Sequence, residues 1–123
     1  MKKLYLLILF LIPLNSFAIE KNTTFNKELF LKAQKSGKTV VINSWNKTCS
    51  TCAAQSVVLK EAKNEFKDVI FLSFEQTVDT DIAEFLKIDY WTTIVVYKDE
   101  KEIARSIGQT NKTEIYSTIQ KGV

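Results

Sequence analysis

The chain is predicted to fold as an α/β domain with a mixed central sheet and helices on both faces. Two apolar, β-branched runs, Thr39 to Ile42 and Val69 to Phe74, flank a long helical pattern, the arrangement of a strand–helix–strand crossover. Two more strand-like runs, Thr93 to Tyr97 and Glu102 to Ile107, are separated only by the polar turn Lys98-Asp99-Glu100-Lys101. Strands joined through a helix run parallel and strands joined by a tight turn run antiparallel, so one sheet holding all four is mixed.

Residues 1–18 read as an export signal and not as part of this domain. Lys2 and Lys3 form a positive start, Leu4 to Leu14 is apolar apart from Pro13, and Ser16-Phe17-Ala18 has the small residues a signal peptidase reads. The apolar run falls short of the roughly twenty residues needed to span a bilayer; a short uncleaved membrane anchor is the alternative. The expected mature chain is residues 19–123, a length suited to one modest core. Losing Lys2 and Lys3 leaves fifteen basic residues against fourteen acidic ones, a net charge of +1, and no basic cluster with interleaved aromatics points to nucleic acid. Asn-X-Ser/Thr sequons stand at Asn22, Asn46 and Asn111. A glycan on Asn46 would crowd the cysteines, which favours a bacterial source, and for an exported bacterial chain the expected location is the periplasm.

The first helix carries Phe25, Leu29, Phe30 and Ala33 on one face, with Thr24 or Asn26 to cap it and Gly37 to end it. The strand at Thr39 follows, with the run of a strand buried on both faces. From Ser50 to about Phe66 a helix is expected, its stripe formed by Ala54, Val58, Ala62 and Phe66 and widened by Val57 and Leu59. A second buried strand, Val69 to Phe74, leads to a short helix capped by Asp79 or Thr80 and carrying Ile82, Phe85 and Leu86. After the hairpin, Gly108 breaks the chain, and Asn111 with Glu114 resembles a capping box for a last helix with Ile115, Tyr116 and Ile119 inward.

Both cysteines lie in Trp45-Asn46-Lys47-Thr48-Cys49-Ser50-Thr51-Cys52, between the first strand and the second helix. A closed zinc site needs four ligands, and a chain with two cysteines and no histidine cannot supply them alone. Two chains pooling their thiolates remain an alternative. Covalent haem attachment needs a histidine after Cys52, where Ala53 stands. A purely structural staple closing so short a loop would contribute roughly 2 kcal/mol at best. A redox pair has a mechanism: Cys49 at a helix N-terminus meets free N–H groups and the positive end of the dipole, which favour a thiolate. Lys47 adds a neighbouring positive charge. Cys49 is the expected nucleophile, and Cys52, one turn further in, is the expected resolving cysteine.

With this strand, motif and helix in one small α/β domain, the chain resembles the thioredoxin family over nearly its whole mature length. The stretch Val40-Val41-Ile42-Asn43-Ser44-Trp45, continued through Cys52, matches the family's strand, tryptophan and CxxC motif. The resemblance implies a thioredoxin fold, a redox-active Cys49–Cys52 disulfide, no cofactor, Trp45 packed beside the active site or serving simply as a core aromatic, and a monomer. It also implies a protein or small-molecule disulfide or dithiol as substrate, with a membrane electron donor as a further partner; no nucleic-acid partner is expected. The segment Lys35 to Cys49 is similar to exported, reductase-type members, which leans the expected direction towards reduction.

Two family positions differ. Asn43 stands where many members carry a buried aspartate that accepts the resolving cysteine's proton, and Ser73 aligns with its companion lysine. Thr92 stands at the family's cis-proline, since the only proline is Pro13. A cis bond before a non-proline costs roughly 2.5–4 kcal/mol, so a trans Trp91–Thr92 bond is expected. Asn43, Lys47 and Thr92 therefore join Trp45 as supporting residues. These departures motivate a rival reading, a thioredoxin-fold binding module of little turnover that holds a partner, or a metal between two chains.

Overall fold

In the computed structural model, which describes residues 23–123, four strands and four helices alternate much as expected. The signal segment, Pro13 and the sequon at Asn22 lie outside the described residues. The elements are α1 (Lys27–Lys35), β1 (Val40–Trp45), α2 (Ser50–Glu65), β2 (Ile70–Glu75), α3 (Thr80–Leu86), β3 (Thr93–Lys98), β4 (Lys101–Ile107) and α4 (Lys112–Gln120). The sheet order is β2-β1-β3-β4, with β1 and β2 parallel and the β1–β3 and β3–β4 pairs antiparallel. The mixed sheet follows from the connections: a helical crossover for the parallel pair and a hairpin for β3 and β4.

The central position of β1 explains its apolar start, Val40 to Ile42, since every residue of the strand is buried. β2 lies at an edge, so Ile70 and Phe71 are only half-buried, less than a strand covered on both faces would be. Alternation along the strands sorts the core into two layers. Val40, Ile42, Leu72, Phe74, Val95 and Tyr97 meet Phe30, Ala33, Ala83 and Leu86 of α1 and α3. Val41, Ile94 and Val96 meet Ala62, Ile115 and Ile119 of α2 and α4. Asn43 pairs with Ile94 in register and so belongs to the second layer, under α2.

The ends of the elements show why they stop. Asn26, not Thr24, caps α1, its side chain accepting from Leu29 N at 3.0 Å. Gly37 follows with φ +71°, and the bonds Gly37 N to Gln34 O and Lys38 N to Ala33 O complete a Schellman ending. α3 ends with the same bond pattern, but Lys87 occupies the left-handed position at φ 55°. Asp99 and Glu100 both have positive φ, 49° and 65°, as a two-residue hairpin of the primed type requires.

Several local expectations are corrected. The buried face of α2 is Cys52, Gln55 and Ala62, whereas Ala54 and Val57 are exposed; a stripe phased on apolar residues alone missed the buried glutamine. Leu29 and Phe85 are also exposed, because α1 and α3 each cover the sheet with a narrow face. Asp79 precedes α3 without capping it; its carboxylate instead accepts from Glu75 N at 2.9 Å and from the Thr23 hydroxyl. Asn111 does cap α4, accepting from Glu114 N at 3.1 Å, but the Asn111 N–H donates to Gln109 Oε1 and not back to Glu114. Tyr116 is half-buried beside Ile115 and Ile119.

Candidate active site

The chain leaves the carboxyl end of β1 through the loop 46–49 and turns directly into α2, the crossover that parallel pairing of β1 with β2 requires. Asn46 shapes that loop. Its Oδ1 accepts from the Thr48 N–H at 3.1 Å and hydroxyl at 3.2 Å, and its Nδ2 donates to Thr77 Oγ1 at 3.1 Å. The Asn-Lys-Thr sequence carries the signal for this turn, since an Asn side chain bonding two residues ahead mimics a backbone turn.

Cys49 is the N-cap of α2: its backbone is extended, its carbonyl accepts from Ala53 N, and its Sγ accepts from Cys52 N at 3.0 Å. It forms a disulfide with Cys52, the two Cα atoms 5.2 Å apart. The sulfurs are not equivalent. Cys49 is half-buried, while Cys52 is 1% exposed. No acidic residue stands in the first turn of α2, so nothing there offsets the positive end of the helix dipole at Cys49. Lys47 is exposed in the preceding loop. Trp45, the last residue of β1, is buried and pairs in register with Glu75.

Asn43 and Thr92, named from the sequence as separate supporting residues, meet each other. Both are buried, and Asn43 Nδ2 lies 3.3 Å from Thr92 Oγ1. Asn43 and Ser73, at the positions where the resemblance implies an aspartate and its companion lysine, stand opposite each other in the β1–β2 register. The Trp91–Thr92 bond is cis, correcting the trans expectation. That expectation weighed only the amide's own preference, whereas the fold ties this segment on several sides. Ser44 Oγ donates to Tyr90 O at 2.8 Å and accepts from Thr93 N at 3.0 Å; Thr92 Oγ1 lies 3.0 Å from Ser44 O; Thr92 O accepts from Gly108 N at 2.8 Å.

Sequence reasoning passed over Ser44 and Gln55. Gln55 is fully buried, donates from Nε2 to Gln109 O at 2.8 Å, and receives Asn43 Nδ2 on Oε1 at 2.7 Å. Counting three residues on from Cys52 would have found it, because that spacing keeps two side chains on one helix face. The arrangement offers one accessible sulfur at a helix N-terminus, one shielded sulfur a turn away, and a neutral hydrogen-bonded layer behind them. Among the described residues no cluster of three or more His, Cys, Asp or Glu is placed to hold a metal ion.

The chain is similar to known proteins in sequence and in fold. A family model described as Thioredoxin matches residues 16–121. The thioredoxin of Mycoplasma genitalium is 35% identical over 78 residues, covering 63% of this chain and 76% of that protein. The thioredoxin of Coprinus comatus is 29% identical over 100 residues, covering 80% of this chain and 93% of that protein. Among solved structures, Trxlp from Edwardsiella tarda superposes with a TM-score of 0.73 at 20% identity, covering 77% of this chain and 94% of that one. Oxidised mitochondrial thioredoxin 3 from Saccharomyces cerevisiae does so with a TM-score of 0.66 at 25% identity, covering 76% and 87%.

Proposed function

The chain belongs to the thioredoxin family and is a thiol–disulfide oxidoreductase with a Cys49–Cys52 pair, and from that premise we propose that it is exported and reduces disulfides with Cys49 as nucleophile and Cys52 as resolving cysteine. The observation that supports this assignment of roles is the unequal exposure of the two cysteines, Cys49 half-buried and Cys52 buried. In the reduced protein the Cys49 thiolate attacks one sulfur of a substrate disulfide. The Cys49–substrate bond forms, the substrate bond breaks, and one substrate thiolate leaves. Cys52, as thiolate, then attacks Cys49 Sγ; the intramolecular disulfide forms and the second substrate thiolate departs. Two electrons have passed from the dithiol to the substrate, and both released thiolates take protons from water.

Lys47 supports the Cys49 thiolate by charge, and Trp45 and Thr92 frame the site. The substrates are protein disulfides, as befits the family, and a thiol-based donor, with a membrane protein as candidate, returns the electrons. Residues 1–18 direct the chain to the bacterial periplasm and are removed there. Support for export comes from the charge and apolar pattern of that segment.

Insulin disulfide reduction by residues 19–123 tests the reading, beside Cys49→Ser and Cys52→Ser. Turnover in the parent and none in Cys49→Ser is expected, with Cys52→Ser accumulating mixed disulfides. Turnover that survives Cys49→Ser removes the proposed nucleophile, and an inactive parent favours the binding module. Recovery from a periplasmic extract of a chain beginning at Ile19 checks export; a chain retaining Met1 in the membrane fraction supports the anchor instead.

A further inference from the structure

The thiol chemistry above makes no use of Gln55, although the fold commits a buried amide to it. Gln55 is fully buried and lies three residues after Cys52, on the same face of α2. Its Nε2 donates to the Gln109 carbonyl, which turns Oε1 inward as an acceptor. Asn43 Nδ2 donates to that oxygen at 2.7 Å, and the Thr92 hydroxyl is in contact with it as well. One side chain thus joins α2, the end of β1, the approach to β3 and the loop after β4. Hydrogen-bonded side-chain networks of this kind, once satisfied, rigidify the segments they connect.

We propose that Gln55 is a positioning residue for the resolving step, holding the turn of α2 that carries Cys52 in register with the Thr92 segment. The proposal rests on Cys52 being the resolving cysteine. In that step the Cys52 thiolate attacks Cys49 Sγ, the Cys49–Cys52 bond forms, and the Cys49–substrate bond breaks. The electron pair of the broken bond leaves on the substrate thiolate, which takes its proton from water. Gln55 gives and accepts no proton; it sets where Cys52 stands. The first attack needs only an accessible Cys49 at the helix N-terminus, so it is insensitive to Gln55, whereas the second needs both sulfurs aligned within one turn.

Stopped-flow reaction of the reduced protein with one equivalent of the aromatic disulfide dithiobis-nitrobenzoate separates the steps, because each releases one coloured thiolate. Gln55→Met keeps the length of the side chain and removes its hydrogen bonds. Its second phase is expected to slow about tenfold or more while the first stays within about twofold. Gln55→Glu supplies the same donor and acceptor only when protonated. The hydrogen-bond partners of Gln55, Asn43 on β1, Thr92 before β3 and the Gln109 carbonyl, do not titrate, and Cys52, on the same face of α2, does. Burial favours the neutral acid, so the second phase of Gln55→Glu, taken relative to the parent, should recover as pH falls.

Unchanged phases in folded Gln55→Met overturn the proposal, as does equal slowing of both. If Gln55→Met does not fold, the pH dependence of Gln55→Glu decides: recovery on acidification supports positioning, and a pH-independent ratio rejects it. Cys52→Ser serves as the control for the underlying assignment. It should release a single equivalent, and release of two would remove the resolving role from Cys52 whatever Gln55 does.

Discussion

Replacing Asn43 by aspartate, the residue that the family resemblance would put there, should destabilise this protein at neutral pH. Asn43 is buried, and its Nδ2 points at acceptors: Gln55 Oε1 at 2.7 Å, Thr93 O at 3.2 Å and Ser44 O at 3.3 Å. An ionised aspartate would turn a carboxylate oxygen towards these groups. Gln55 could answer by turning its amide only by giving up its bond to Gln109 O. Burial and facing acceptors both disfavour the charged form, so the folded-state pKa of the new carboxyl rises above its unfolded value of about 3.9.

A rise of about 3 units, within the range seen for buried carboxyls, corresponds to about 4 kcal/mol lost at neutral pH. Small domains have only about 5–15 kcal/mol in total. For a raised carboxyl the unfolded chain releases its proton first. The deficit is therefore absent below the unfolded pKa, grows as pH rises from about 4, and levels off above the folded pKa, near about 7. Urea unfolding of the oxidised parent and Asn43→Asp, at several pH values from about 4 to about 8, measures it. A gap below about 1 kcal/mol at about pH 8, or one that fails to narrow on acidification, would refute the picture of Asn43 as a donor in a cage of acceptors.

Two further outcomes concern groups remote from the thiols. Lys87→Gly relieves a left-handed residue at the end of α3 and should stabilise by about 0.5–1 kcal/mol, net of glycine's extra unfolded-state freedom, raising Tm by a few degrees; a lower Tm would contradict it. The Tyr97 phenol is pushed up to about 12, chiefly by burial and further by Glu102, with Arg105 opposing. Since the unfolded phenol titrates near 10, the stability this group contributes is intact below that pH and is lost as pH rises towards about 12. Absorbance titration of the folded protein beside Tyr97→Phe should show the variant lacking the last phenolate step, and loss of an earlier step would count against this burial.

Much of the fold was legible because its signals are local. Continuous apolar runs marked the central strands, a polar turn marked the hairpin, and Asn26, Gly37 and Asn111 punctuated helices through bonds to residues at most four away. The position of the cysteine pair followed for the same reason, since a strand end and a helix start fall on either side of it. β2 was read as more buried than it is, because an apolar run does not announce whether its strand lies at an edge.

The layer behind the thiols was only partly legible. Asn43 and Thr92 stand out in the sequence as departures from a family pattern, but their meeting depends on β1 and β3 pairing antiparallel across a separation of 49 residues. Gln55 was invisible to a count of apolar periodicity, because its burial is made tolerable by Asn43, Thr92 and Gln109, partners remote in the chain. The segment that holds the cis bond before Thr92 is likewise tied to Ser44 and Gly108, partners beyond the dipeptide. The sequence by itself determined the elements, their order and the place of the reactive pair, all governed by interactions within a few residues. Only the tertiary structure decided which buried polar groups satisfy one another, because a hydrogen bond between distant residues exists only once the sheet has set their register.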